Sequence, residues 1–530
     1  MSRSASSSAS STHPGRTRAF VPQVPLPRED ACATLVIETG IRLRLARGLV
    51  RPAIGMDLPW MAKRAYLAIP SLTMVGGRMK WLIGQASRHR ALAVGLAAQI
   101  VQYGSALLLI PFMVTRLSAP TIGIWYIFVT VQSLAMVCDF GFQPSFTRAI
   151  ALALSGARKL ERTGLGEAVP QDEQPNYRLA AEALAAAHRF YRLLALGVVV
   201  ILVVCGLPYI TMLAREGGIP TGSVQTAWSL LCGSIGLTLS FLWISPLLMG
   251  SGRVEQNYLY IIANRSTFSI LGIIVLLSGG GLVALAMTLI GAQIFARLVA
   301  QRFMRGTLGD HDARNADRDA VRDVLKIVSP NAGRMGAVAI SGFLITRFSL
   351  FVISSVAGVA VGGTYALSLQ LLMALCAAAQ LPMQVAMPRL VAARVAQDGV
   401  ELRRIFGGAM MLYGTIYLTG AAFVLFAIPP LLTLIGSHIA LLDRPVLALL
   451  AVILLLEGFH SNAAFFITTA NNVPFLRSSI LSGIAVATGV ILLSWGGAGV
   501  AWIILCQGVV QLAYNNWRWP LMAWREIART

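Results

Sequence analysis

Acidic side chains are scarce in this chain, and charge of any kind is thin. There are 22 Asp and Glu against 43 Lys and Arg, and the charged residues together make up only 12% of 530 positions. A set of soluble domains of this size needs about twice that fraction to cover its surface, so a soluble multidomain protein is excluded. Cysteine is also sparse. Of six, Cys138, Cys205, Cys232, Cys376 and Cys506 fall in apolar runs and Cys32 near the amino terminus, with no close pair. That spacing excludes a zinc ribbon and gives no support for a disulfide framework. Enzyme signatures are missing too: there is no Gly-x-x-x-x-Gly-Lys, no His-Glu-x-x-His and no Gly-x-Ser-x-Gly, and the Gly279–Gly281 run is only a turn. The reading is of a non-enzyme with no cofactor and no metal.

What the chain does have is apolar length. Hydrophobic residues make up 56% of it, and the mean hydropathy is +0.71, which marks a polytopic membrane protein. The net charge of +21 is not gathered on a soluble domain, so it does not point to nucleic acid. The preference of Lys and Arg for cytoplasmic loops explains the excess better.

The first strong element is a hairpin over 91–156. Two apolar runs, each long enough to cross a bilayer, are separated by the short break Arg116–Thr121, and the second carries Asp139 near its middle. A continuous helix over Ile122–Leu154 would be about 50 Å long and would project from the membrane at one end. The run RLSAPTIGIWYIFVTVQSLAMVCDFGFQPSFTRAIA resembles the first hairpin of the polysaccharide flippase family. These are the O-antigen and exopolysaccharide flippases of the multidrug/oligosaccharidyl-lipid/polysaccharide exporter superfamily, relatives of the multidrug and toxin extrusion transporters. The residues that carry the resemblance are Arg116, Leu117, Gly123, Asp139, Gly141 and Arg148. Ala119 stands where that pattern has Pro, and Pro120 follows one residue late. The resemblance extends over roughly 91–519, with LKIVSP, GGTYALSLQL and AMPRLVAAR in the second half. It implies translocation of a polyprenyl-diphosphate-linked oligosaccharide, alongside other polysaccharide-assembly proteins. One departure is Arg347, the only charge in its span, next to Thr346 where the pattern often has Asp.

Taken in order, residues 1–78 are Ser-rich, then rich in Pro and Arg, with no spanning run, and read as a disordered basic extension. Glu29, Asp30 and Glu38 argue against a transit peptide. Residues 79–300 hold a first six-helix bundle, 301–334 a cytoplasmic linker in which Ser329 and Pro330 suit a helix start, and 335–530 a second bundle. The fold class expected is all-α, with about twelve transmembrane helices in two parallel six-helix repeats around a central cavity. The stretch Pro429–Pro445 has room for a re-entrant piece. Breaks after odd-numbered spans hold only Arg116, Arg215 and Arg444, whereas even breaks are rich in Arg. Both termini are therefore expected in the cytoplasm of an inner-membrane protein. The repeat is visible at one offset: Gly123 and Tyr126 correspond to Gly362 and Tyr365. With an even number of spans per half, the axis relating them lies along the membrane normal.

A charge in mid-membrane costs roughly 2.5–3.5 kcal/mol and must face water or a partner. Asp139, Arg265 and Arg347 are thus candidates for a cargo cavity, with Arg suited to phosphate oxygens through its planar fork. Arg347 is the principal cation in this reading. Glu457 with His460 one turn on is the candidate coupling pair. Gln99, Gln102, Tyr103, Gln132 and Gln370 supply donors and acceptors for sugars, although each residue of this kind is more often glue between helices. Two rivals remain: a drug or cation antiporter, which would favour acidic over basic residues in the amino-terminal cavity, and a membrane polysaccharide polymerase or ligase, which would want a large extracytoplasmic loop.

Overall fold

The computed structural model describes residues 94–529 apart from 96, 103, 161–173, 308–316 and 470–473. The expected extension over 1–78 and the candidate Tyr103 lie outside the described residues. Among those residues every regular element is a helix. Eleven helical segments are long and apolar enough to cross a membrane.

The first half comprises α1 (Ala97–Arg116), α2 (Ala119–Val137), α3 (Phe142–Leu154), α4 (Tyr177–Ile201), α5 (Leu207–Glu216), α6 (Thr221–Ser240), α7 (Ile244–Gly250), α8 (Val254–Leu277) and α9 (Leu282–Met304). The second comprises α10 (Arg318–Thr346), α11 (Phe348–Val356), α12 (Val359–Val395), α13 (Gly399–Phe426), α14 (Ile428–Leu434), α15 (Arg444–Thr468), α16 (Leu476–Trp495), α17 (Val500–Ala513) and α18 (Asn515–Arg529). Several of these are halves of one span: α4 runs into α5 through the π-helical turn Leu202–Gly206, and α6 continues into α7. Counted by crossings, each half has six, the twelfth being α17, whose 14 residues rise only about 21 Å against a hydrocarbon core of about 30 Å. The chain bends at Tyr514 (φ −144°, ψ −57°) and continues as α18.

The second crossing is not one long helix. α2 starts with Pro at its first turn, where a missing N–H costs nothing. It ends at Cys138, and the chain then passes through two left-handed residues, Phe140 (φ 51°) and Gly141 (φ 74°), before α3 begins. Gly141 is required twice over, because a Cβ there would also lie 2.6 Å from Met335 Cβ of α10. α10, by contrast, is continuous from Arg318 to Thr346, passing through Pro330. Ser329 therefore does not cap a helix; its hydroxyl donates back to the Leu325 carbonyl, one turn away.

The halves meet at both ends. On the Arg-poor side α2 crosses α12 almost backbone to backbone: a Cβ at Gly123 would sit 2.0 Å from the Val359 carbonyl oxygen, and one at Gly363 would sit 3.0 Å from Gly123 N. The repeat-related Tyr126 and Tyr365 are both buried beside this crossing. On the Arg-rich side Val321, Val324, Val328 and Ala332 of α10 pack on Phe142, Phe146, Ala187 and Tyr191 of α3 and α4. The interval Pro429–Pro445 holds the short helix α14 and then a segment that turns inward. There the His438 N–H donates to the Val114 carbonyl (2.7 Å) and the Leu442 N–H to Ser368 Oγ (3.0 Å), while Ile439 and Leu441 are buried.

Candidate functional site

A cavity of about 570 Å³ opens among α1, α2, α6, α8 and α9, with Arg347 from the break before α11 and Gln370 of α12 contributed by the second half. It is therefore walled chiefly by one repeat and reaches the other across the seam. Its sides are aromatic: Trp125, Tyr126 and Phe128 from α2, Tyr260 and Phe268 from α8, with Trp125 stacked on Phe268 at 6.2 Å. Between them stand Gln102, Gln132, Gln143, Asn264 and Gln293. Large apolar faces with a few convergent polar groups are what a small-molecule or amphiphile site requires.

The charged groups on this wall are two arginines and no carboxylate. Arg265 projects from the middle of α8 and is exposed within the cavity. Arg347 sits in the break between α10 and α11 (φ −124°, ψ −20°), its N–H bonded to the Phe343 carbonyl at 2.8 Å. Neither arginine has a carboxylate within ion-pair distance among the described residues. A cavity holding two unneutralised guanidinium groups at membrane depth draws anions and repels cations.

The other candidates fall elsewhere. Asp139 does not line the cavity. It lies in the α2–α3 break, where Oδ1 accepts the Tyr191 hydroxyl (2.7 Å) and Oδ2 accepts the Gln143 N–H (3.1 Å), closing the exposed first turn of α3. The Asp-x-Gly of the flippase-like pattern thus has a local reason in this chain: a carboxylate to cap and a glycine to turn. Gln102, Gln132 and Gln370 are on the cavity wall, whereas Gln99, two turns of helix from Ala106, is half-buried away from it.

Glu457 and His460 belong to a separate polar cluster inside the second half. Glu457 Oε1 accepts from Gln511 Nε2 (2.7 Å), and His460 Nδ1 lies 3.7 Å from Glu457 Oε2 and 3.0 Å from Asn516 Oδ1. Asn515 links Gln511, Ser482 and the Trp519 indole. Most of this network is on α17 and α18, so it ties the last crossing to α15 and α16. Gln507 Nε2 and Asn462 Nδ2 are buried beside it without partners among the described residues.

Sequence reading overlooked Arg297. Its guanidinium lies 3.5 Å above the ring of Phe241, a cavity residue, and its Nη1 is buried without a hydrogen-bond partner among the described residues. The available signal was its place one turn after Gln293, which also lines the cavity and donates to Thr238 at 2.8 Å.

No protein-family model and no curated protein matches the chain. Among solved structures, a multidrug resistance MATE family transporter of the MOP superfamily in an inward-facing conformation is similar at 16% identity and a TM-score of 0.61, over 81% of this chain and 95% of that one. The outward-facing form of such a transporter (16%, TM-score 0.50, 83% and 96%) and a MATE protein in complex with MaL6 (16%, TM-score 0.51, 83% and 97%) are also similar. The fold is thus that of the MATE transporters: twelve helices in two repeats.

Proposed function

We propose that this protein is a membrane transporter whose cargo is an anionic amphiphile bound in the first-half cavity. The observation that carries the proposal is that Arg265 and Arg347 are the only charged residues among those lining the cavity, on an otherwise apolar, aromatic and amide-lined wall. The cargo class that fits is a polyprenyl-diphosphate-linked oligosaccharide. The diphosphate would meet the two guanidinium forks, and Gln102, Gln132 and Gln370 would meet sugar hydroxyls. Movement would follow from rocking of the two repeats about the α2–α12 crossing. Glu457 and His460 would take up the coupling proton. With Arg-rich breaks facing the cytoplasm of an inner membrane, cargo would be loaded from that side.

A second reading is drug extrusion, and the names of the MATE neighbours support it more than they support lipid-linked oligosaccharide flipping. Charge separates the two readings, because cationic drugs require an acidic cavity. The test uses proteoliposomes of the full chain with two cargoes, a short-chain polyprenyl diphosphate sugar and ethidium. Protein-dependent translocation of the first alone supports the proposal, and efflux of ethidium alone overturns it.

A further inference from the structure

The carboxyl-terminal helix α18 carries three different faces. One, Asn515, Asn516, Trp519, Ala523 and Ile527, is buried, with Trp519, Ala523 and Ile527 packed into the second-half cluster around Phe406 and Phe466. A second, Trp517, Leu521 and Trp524, is exposed at spacings of four and three residues, which places all three on one stripe. The third, Arg518, Arg525 and Arg529, flanks that stripe on one side. The only acid on the helix, Glu526, is taken by Arg394. None of the three arginines has an ion-pair partner among the described residues, and Arg518 Nε is buried with no hydrogen-bond partner among them.

Core packing explains only part of this arrangement: Trp524 meets the buried Phe406 edge-on at 5.2 Å yet stays 40% exposed, and Trp517 and Leu521 belong to no core cluster. Two tryptophans 48% and 40% exposed and an adjoining row of unneutralised guanidinium groups match the boundary between acyl chains and headgroups, where indoles and cations both gain. The position matches as well: the 14 residues of α17 are too few to complete a crossing of about 30 Å, so its continuation into α18, where Trp517 stands beside Tyr514, falls near the edge of the hydrocarbon core. We propose that α18 is a docking surface for anionic lipid headgroups. Trp517, Leu521 and Trp524 enter the acyl boundary, and Arg518, Arg525 and Arg529 bind the lipid phosphates. Charge complementarity commits the surface to anionic over zwitterionic lipid.

The same helix carries Asn515 and Asn516 inward to the Glu457 cluster, so lipid bound outside α18 holds the far wall of that cluster. The inference does not depend on the cargo of the first-half cavity.

The test is native mass spectrometry of the delipidated full chain titrated with equal phosphatidylglycerol and phosphatidylcholine. Wild type is expected to retain phosphatidylglycerol preferentially. Arg518→Gln, Arg525→Gln and Arg529→Gln together should weaken that retention by about tenfold or more, with the phosphatidylcholine count unchanged. Trp517→Ala with Trp524→Ala should weaken both lipids. The control removes three exposed basic residues from α10, Arg318→Gln, Arg322→Gln and Lys326→Gln, and should change retention less than about twofold. Equal loss in the control, or unchanged retention in the α18 triple variant while it elutes as a single species, overturns the proposal. A dimer that forms in wild type and is lost in the tryptophan variant, without change in lipid retention, would assign the stripe to a second copy of the chain and overturn it too.

Discussion

Asp139 is best tested by separating its charge from its hydrogen bonds. Replacement by Ala removes both acceptors, leaving the buried Tyr191 hydroxyl and the Gln143 N–H unpaired. Orphaning the hydroxyl costs about 1–3 kcal/mol, and losing the cap about 1 kcal/mol more. The total, about 2–4 kcal/mol, is large against the marginal stability of folded proteins. Asp139→Asn keeps one acceptor: its amide oxygen can take the Gln143 N–H while its NH2 donates to the Tyr191 oxygen, so it should cost less than the Ala variant, about 1 kcal/mol. Tyr191→Phe removes the other partner, so Asp139→Ala and Tyr191→Phe should be non-additive, with a coupling of about 1–2 kcal/mol. The assay is thermal unfolding of the purified full chain in detergent, read by intrinsic fluorescence and by monodispersity after heating. Scaling with chain length predicts a shift of roughly 1 °C per kcal/mol, so Asp139→Ala should fall by a few degrees and Asp139→Asn by about one. Transport by Asp139→Asn should stay near wild type. A variant Asp139→Asn that is stable yet inactive would refute the capping account and restore this carboxylate to the transport machinery.

Further expectations follow from other places in the fold. Gly123→Val puts a side chain into the Val359 carbonyl and should separate α2 from α12, with at least about 1–3 kcal/mol of destabilisation and loss of transport; wild-type behaviour would mean that the two backbones do not approach this closely. Glu457→Gln keeps a partner for Gln511 but cannot carry a proton, so abundance should be normal and the dependence of transport on a proton gradient should vanish. An unaltered dependence would leave Glu457 a purely structural residue. Removal of residues 1–78 should leave membrane insertion and transport intact, checked by fractionation of the truncated chain. Cysteines placed at Gly280 and Gly497 should react with an impermeant reagent in intact cells, and one at Gly306 should not; labelling at Gly306 would invert the topology.

Much of this architecture is legible in the residues, for identifiable reasons. A charge or amide inside an apolar run is costly enough to be noticed, which is why Arg265, Arg347, Gln102, Gln132 and Gln370 can be picked out before the cavity that gathers them is seen. The sequence offset that pairs Gly123 with Gly362 points at the right crossing but one residue off, since Gly363 is the glycine that meets Gly123 while Gly362 packs on Ser354. What is hidden depends on backbone torsion and on partners distant in sequence. Nothing in CDFG announces two successive left-handed residues, so Asp139 reads as a mid-helix charge and not as the cap of α3. Arg297 reads as an ordinary basic residue near a helix end until Phe241, 56 residues earlier, is found beneath it. The twelfth crossing reads as one apolar run over Val500–Trp519, and its break at Tyr514 is visible only from the backbone.

The central claim, an anion site formed by Arg265 and Arg347, is tested most directly by binding. Trp125 lines the same cavity, so quenching of its fluorescence, isolated by difference against Trp125→Phe, reports on occupancy. A charge-assisted hydrogen bond contributes about 1.5–3 kcal/mol, so Arg265→Gln and Arg347→Gln should each weaken binding of a short-chain polyprenyl diphosphate by about 10- to 150-fold, and Arg347→Lys by less. Ethidium should not bind to wild type. Diphosphate affinity unchanged by both substitutions, or ethidium binding that quenches the same tryptophan, would contradict the account.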